Sequence, residues 1–471
     1  MKIALVELGL WNPGRYARHS ALEPIAIEYV GSAVKSKGHD VRLFQQRTES
    51  NEELTNDILD FEPDLVGFSA MTYAFPDGLE IAGRIKQRNP DVYTVFGGYH
   101  ASSTPEIVQY DSIDFTVIGE GENTLVELVQ KLENNEEVGN IKGLSYFNGS
   151  EVISNQLRER IDLDNQPWPI REEGFFKNTL ITGITDPPIG KQKIAQISYS
   201  RGCPFHCKYC ASPNVYGSAV KWRKAENVTS EIRYLKDTFN VNLLYFTDLT
   251  FNINKERVLE LSDLLKEEKI NWIAMASPDT NIDYDLLKEM KAAGCTRLMY
   301  GIESVHDRIA ESVGRKGNQR AKRLEELFRI NDELGIITRA FLMIGNLNET
   351  KEDIEGYLDT LKKILPDEIR IGITTPLPGT ALFEEAKRHQ LLMYTNFPED
   401  WRRYSTRELT IRHPTLSPEE ISQSCDSIFR DYYESKEYSR HVKRKIETFP
   451  NLQDSYSRFF KWLKEQAVDL T

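Results

Sequence analysis

Over the first 140 residues, short β-branched and aromatic runs alternate with amphipathic stretches, the rhythm of a parallel sheet wound with helices. Lys2 to Leu8 predicts a strand, Ile25 to Lys37 a helix that stops at Gly38, and Asp40 to Phe44 the next strand. Leu65 to Ser69 predicts a third strand and Asp77 to Gln87 the helix after it. Val92 to Phe96 then runs into Gly97-Gly98-Tyr99-His100, and Phe115 to Ile118 runs into Gly119-Glu120-Gly121-Glu122. A doubly wound sheet of this kind takes its ligand beyond the carboxyl ends of its strands, where glycines let the ligand approach the backbone. Ordinary tight turns account for the same glycines. A phosphate cradle is disfavoured by Glu120 and Glu122, and neither a Gly-x-Gly-x-x-Gly fingerprint nor a Walker lysine is present.

Residues 141–190 carry few periodic runs and several prolines, and predict a strand pair followed by a linker wrapped over the surface. A second rhythm begins at Lys193 to Tyr199 and continues through Leu243 to Phe246, Trp272 to Met275, Arg297 to Tyr300, Thr338 to Ile344 and Glu368 to Ile373. Six strands with helical spacers predict a partial (β/α)6 barrel, whose functional residues belong at the strand carboxyl ends. Polar residues stand where those apolar runs stop, notably Thr247-Asp248, Ser277-Pro278-Asp279 and Gly301-Ile302-Glu303-Ser304. From about residue 391 the pattern turns helical and aromatic, as in Trp401, Tyr404, Tyr432, Tyr438 and Trp462. Such residues either cap the barrel mouth and exclude water or pack the helices on one another. The expected division is thus 1–140, 141–190, 191–390 and 391–471, in an α/β protein with a helical C-terminal region.

The net charge of −13 over 471 residues argues against a general nucleic-acid surface. The basic run Arg440 to Lys445 reads as the solvated face of a helix. No apolar run reaches a membrane span, and the chain starts on a strand pattern, so no membrane association is expected and the cytoplasm is the expected compartment.

Chemistry enters with the cysteines. Three of the five fall in Cys203-Pro204-Phe205-His206-Cys207-Lys208-Tyr209-Cys210. Three thiolates on one tight loop can each hold a separate iron of a [4Fe-4S] cube and leave one iron open. A zinc knuckle is the alternative; it needs a fourth ligand, for which only His206 is near, since Cys295 and Cys425 are remote. Cys-x3-Cys-x2-Cys with an aromatic before the last cysteine resembles the signature of the radical S-adenosylmethionine (SAM) superfamily. The resemblance implies that Cys203, Cys207 and Cys210 ligate the cluster, that SAM chelates the open iron, and that an electron from a donor such as flavodoxin or ferredoxin cleaves it to a 5′-deoxyadenosyl radical. It further implies SAM contacts from Tyr209, Asp248 and Glu303, while Arg339 offers a guanidinium for the SAM carboxylate. Helix capping for Asp248 and Glu303, and salt bridges for Arg339 and Arg223, are the structural alternatives.

The N-terminal region in turn resembles the cobalamin-binding domain that precedes many radical SAM domains. The match is carried by Leu22-Glu23-Pro24-Ile25, Gly38-His39-Asp40-Val41, Val66-Gly67-Phe68-Ser69, Phe96-Gly97-Gly98-Tyr99-His100 and Ile118-Gly119-Glu120-Gly121-Glu122. It implies that Ser69, Thr72, Gly97, Gly98, His100, Gly119 and Glu120 face the corrinoid; for His100, core packing or a turn hydrogen bond is the alternative. The Asp-x-His-x-x-Gly motif that supplies a histidine to cobalt elsewhere is missing. A fold kept without its cofactor therefore stays open. Together the resemblances imply a radical SAM enzyme, most simply a cobalamin-dependent methyltransferase acting on carbon in a small-molecule substrate. A cobalamin-free dehydratase, mutase or cyclase, and a non-catalytic corrinoid or iron–sulfur sensor, are the alternatives. Asp279, Glu303 and His413 are the acid–base candidates.

Overall fold

The computed structural model describes residues 1–8, 22–176, 179–280 and 282–468. The first sheet has seven strands: β1 (Lys2–Glu7), β2 (Asp40–Gln45), β3 (Leu65–Ser69), β4 (Tyr93–Gly97), β5 (Phe115–Val117), β6 (Leu144–Phe147) and β7 (Val152–Ser154). Their order is β2-β1-β3-β4-β5-β6-β7, parallel through β5 and antiparallel after it. The strand pair expected at the head of the linker is therefore the edge of this sheet. The central strand β1 reads as a continuous apolar run because helices cover both faces; Ile3, Ala4, Leu5 and Val6 are buried.

The second sheet is an open arc. After β8 (Ile194–Ile197) the chain makes the short antiparallel pair β9 (Ser200–Arg201) and β10 (Lys221–Trp222) around the cysteine loop. It then adds β11 (Leu243–Phe246), β12 (Asn271–Ala276), β13 (Cys295–Glu303), β14 (Ile337–Ile344) and β15 (Glu368–Ile373). The order β15-β14-β13-β12-β11-β8 is parallel throughout, each strand beside its neighbour in sequence. This is the partial (β/α)6 barrel.

The linker does more than wrap the surface. Ile181 enters the amino end of the arc and packs with Ile194, Leu243, Ile273 and Met299. Behind it, Arg297 donates to the carbonyls of Thr182 (3.3 Å) and Ile184 (3.2 Å), and Glu368 accepts from the Ile184 amide at 2.8 Å. Gly183, at φ 104°, passes so close to the Glu368 carboxylate that a Cβ there would overlap it. Farther upstream, the buried Arg171 lies between Glu23 (2.6 Å) and Glu28 (3.2 Å) of the first domain and Glu231 (2.7 Å) of the second.

The C-terminal helices Pro418–Tyr433, Lys436–Thr448 and Gln453–Val468 cover the amino end of the arc, so the aromatic cap over the mouth is not what they build. Asp367, just ahead of β15, accepts from Lys445 Nζ (2.6 Å), His441 Nε2 (3.0 Å) and the Tyr456 hydroxyl, while its carbonyl takes Tyr438 Oη at 2.9 Å. Trp401 goes elsewhere: it stacks on Phe397 and lies 5.3 Å from the His100 ring, strapping the barrel to the first domain. Among the described residues no helix is long and apolar enough to cross a membrane.

Candidate functional site

The loop between β9 and β10 is held from three sides. Gly202, at φ 107°, runs against the Ala219 carbonyl where no side chain fits. The Lys208 amide donates to the Val313 carbonyl (3.1 Å), and the Lys208 carbonyl accepts from Leu382 N (2.9 Å). Within the loop Cys210 N donates to Cys207 O at 3.1 Å. Cys203, Cys207 and Cys210 are thereby presented as half-buried free thiols, with Cys203 Sγ 3.7 Å from Thr250 Oγ1. Among the described residues no three His, Cys, Asp or Glu side chains converge on one point as a zinc ion would need. A cube in which each thiolate takes its own iron asks for no such convergence. Burial pushes the Cys207 thiol up, and the Arg315 guanidinium works against that, favouring the thiolate a cluster requires.

Around this loop the arc supplies a small set of polar groups. Asp248, beyond the end of β11, accepts from the Tyr199 amide (3.0 Å) and Ser200 Oγ (2.5 Å); burial pushes its carboxyl up to about 6. It braces the entry to the cysteine loop, which is the bracing rather than the ligand role for its present partners. Glu303, the last residue of β13, sits at φ 63°, where a non-glycine backbone is strained, just after a register shift against β14. Tyr209 donates a hydrogen bond to Glu303, and burial raises the Glu303 carboxyl. Arg315 completes the set: Nη2 donates to the Gly301 carbonyl and lies 3.4 Å from Glu303, its guanidinium is 5.8 Å from the Phe205 ring, and its buried Nε has no hydrogen-bond partner.

Arg339 belongs to the other end. It is the third residue of β14, and its guanidinium is taken up by Glu368 (2.6 Å) and the Thr182 carbonyl (2.6 Å). The expectation that it meets SAM is corrected: Arg315, which the sequence reading passed over, is the guanidinium beside the cysteine loop. Arg223 is likewise structural, paired with Glu231 at 2.7 Å. Asp279 is surrounded by Arg320 (2.8 Å), Arg323 (3.2 Å) and Arg315 (3.5 Å) and is the centre of an ion-pair network. His413 is locked by backbone, Nε2 to the Asn346 carbonyl at 2.9 Å and Nδ1 to the Leu416 amide at 3.1 Å. Neither fits an acid–base role.

From the cysteine loop a cavity of about 570 Å³ runs to the carboxyl edge of the first sheet. Its sheet wall is made of small residues, Gly67, Ser69, Gly97, Gly98 and Gly119 among them, and the helix Ile25–Lys35 lines the opposite side with Ile27, Tyr29 and Val30. Ser200, Arg201, Thr247 and Leu249 close the barrel end. This mostly apolar slot with a polar rim, open at backbone level, suits a large flat ligand with amide edges such as a corrinoid. Glu120 reaches it, but its carboxylate is already held by Arg160 (2.6 Å) and Arg201 (3.2 Å). Glu122 pairs with the same Arg201 at 2.7 Å, and that guanidinium lies 4.6 Å from the Tyr29 ring. Since Arg201 is two residues from Cys203, the cysteine loop is fastened directly to the first domain.

Thr72 and His100 are corrected. Neither lines the cavity. The His100 ring turns into the core against Phe75 (4.4 Å) and Trp401, with Nδ1 3.4 Å from Thr72 Oγ1, and burial pushes it down to about 3. Glu7 does line the cavity, at the end of β1, and the strand-end rule that selected Ser69 would have selected it as well.

An open parallel arc with a three-cysteine loop at its mouth, set across a cavity from a doubly wound domain, is suited to an iron–sulfur cluster and a second, corrin-sized cofactor. The Radical SAM superfamily pattern matches residues 197–361 and the B12 binding domain pattern residues 17–129. "Uncharacterized methyltransferase PH0819" of Pyrococcus horikoshii is 31% identical over 417 residues, 87% of this chain and 87% of its own length. Among solved structures, the cobalamin-dependent S-adenosylmethionine radical enzyme OxsB with aqua-cobalamin and S-adenosylmethionine superposes with a TM-score of 0.72 at 16% identity, over 100% of this chain and 80% of that one. The radical S-adenosylmethionine methyltransferase TsrM from Kitasatospora setae gives 0.68 at 18%, over 82% and 75%. The chain belongs to the radical SAM superfamily and carries its B12-binding domain. A [4Fe-4S] cluster, SAM and cobalamin are its cofactors.

Proposed function

We propose that the protein methylates a carbon atom of a small-molecule substrate. The observation that carries this reading is the cavity that reaches from the glycine-lined sheet edge to Ser200, Arg201 and Leu249, so that the space suited to a corrinoid ends next to the segment that leads into Cys203. When bound, the cluster supplies the electron that cleaves SAM and the corrinoid supplies the transferable methyl group. Cys203, Cys207 and Cys210 hold the cluster. Glu303 and Arg315 face the amino-acid end of SAM with one acceptor and one guanidinium, a match for its ammonium and carboxylate, and Tyr209 fixes Glu303. Ser69, Gly97, Gly98 and Gly119 admit the corrinoid. Glu120, Glu122 and Arg201 hold the two domains at a fixed spacing. A small flavodoxin- or ferredoxin-like protein delivers the electron.

The test is anaerobic reconstitution with iron, sulfide and hydroxocobalamin, a count of corrinoid per chain, and incubation with SAM, a reductant and candidate substrates. Near-stoichiometric corrinoid, with S-adenosylhomocysteine and 5′-deoxyadenosine formed in step with a methylated product, is the expected result. Deoxyadenosine without methyl transfer, on a corrinoid-free protein, would replace methylation with a dehydration or rearrangement.

A further inference from the structure

Of the acidic groups that line the cavity, Glu120 and Glu122 are paired with arginines, whereas Glu7 forms no ion pair among the described residues. It ends β1, beside Gln45 of β2 and Ser69 of β3. Gln45 Nε2 donates to its Oε2 at 2.9 Å, and Gln45 is itself held by the Leu22 carbonyl (2.9 Å), so the carboxyl is oriented and its other oxygen is left for the cavity. Leu5, Leu8, Phe68 and Met71 line the same cavity, and Ser69, in register with Glu7, is the polar group next to it. A half-buried carboxylate against these apolar walls exchanges much of its water for the single Gln45 hydrogen bond.

Resting on the corrinoid reading above, we propose that Glu7 is the polar anchor of the bound corrinoid, holding a side-chain carboxamide through Oε1–H as a carboxylic acid and taking up a proton as the ligand fills the cavity. Among the described residues, the charged and titratable groups that act on it are Arg47, Glu28 and Tyr73. Arg47, beyond β2, favours the carboxylate, and Gln45 does the same through its hydrogen bond; burial outweighs both and pushes Glu7 up to about 7 before anything enters the cavity. Glu28 on the helix Ile25–Lys35 and Tyr73 beyond β3 are both raised, chiefly by burial and further by the Glu7 charge, so neither supplies a cation. A ligand that expels the remaining water moves the balance further toward the acid. Binding is therefore strongest below about pH 7 and weakens above it, because each ionised Glu7 must be protonated before the complex forms.

The experiment measures the Kd of hydroxocobalamin for the cluster-loaded full chain from pH 6 to 9, by absorbance and by calorimetry in two buffers of different ionisation enthalpy. Wild type is expected to lose affinity by up to about tenfold per pH unit above 7 and to show proton uptake. Glu7→Gln keeps an N–H donor in the same place and is expected to bind as wild type does at low pH, with a flat profile. Glu7→Ala is expected to bind about tenfold more weakly at pH 6. Iron–sulfur absorbance after reconstitution verifies that each variant is folded. A wild-type profile that is flat, or one that Glu7→Gln reproduces slope for slope, overturns the anchor while leaving the corrinoid reading intact. No retention of cobalamin by wild type at any pH overturns both.

Discussion

At the amino end of the arc, Asp367 and Glu368 are buried against Lys445, His441, Arg297 and Arg339, and the cations hold Asp367 well below the usual carboxylate range despite its burial. At the carboxyl end Asp248 is just as buried, but its partners are a backbone amide and a hydroxyl, and its carboxyl rises to about 6. Glu303 behaves likewise: burial outweighs Arg315 at 3.4 Å, the Tyr209 hydroxyl and the more remote Arg320, and its carboxyl is raised. The same residue types thus mark a seam at one end and a reaction site at the other. What separates them is charge compensation: a fully paired buried acid locks elements together, and an underpaired one awaits a ligand.

The sharpest break of this comparison comes from the cysteines. Replacing any of Cys203, Cys207 or Cys210 with alanine is expected to abolish cluster assembly and SAM cleavage while leaving the amino end untouched, read as lost iron–sulfur absorbance with an unchanged unfolding midpoint of the apoprotein. Asp367→Ala is the converse. It removes the nearer counter-charge of Lys445, leaving only Asp332 at 3.6 Å, and is expected to cost about 3 kcal/mol in urea unfolding, with SAM affinity kept in the folded fraction. Because the folded pKa of Asp367 is depressed, its contribution is complete above the ordinary range near pH 4 and declines as the pH falls below it; the mutant and wild-type curves should converge in acid.

A finer cut exchanges the two arginines. Arg315→Lys is expected to weaken SAM binding about ten- to a hundredfold, the value of a charge-assisted hydrogen bond, with little change in stability. Arg339→Lys should lower stability and leave SAM affinity alone. Equal effects on SAM binding would dissolve the distinction between the ends. The smallest effect belongs to Cys295→Ala: this thiol is fully buried at the start of β13, pushed up to about 12, and its loss should cost about 1 kcal/mol with cluster and SAM cleavage intact.

Much of this was legible in the chain because strands buried on both faces advertise themselves as short apolar runs, and because three cysteines in eight residues need no tertiary information. The strand-end rule put Asp248, Glu303, Ser69 and the paired glycines at or just beyond strand carboxyl ends, where the structure has them. It failed where direction along a strand or around a loop decided the outcome. Arg339 and Glu303 both read as polar residues of barrel strands, but one starts its strand and the other ends its own. Arg315 lies in a turn with no periodicity to single it out, and only the return of residues 313–315 against the cysteine loop makes it a neighbour of Cys207. Thr72 and His100 follow sheet edges as Ser69 and Gly98 do, yet their side chains turn into the core under Trp401, a contact separated by about three hundred residues of sequence.

The plug formed by Ile181 to Ile184 also sets an order of assembly. A chain leaving the ribosome amino end first has made this plug before any strand of the arc exists. β8 and β11 are synthesised onto it, and Glu368, on the last strand to appear, finds the Ile184 amide already waiting. The arc is thus wound around a core post laid down by the linker, and a circular permutant that delivers residues 179–185 last should fold slowly even if its final structure is the same.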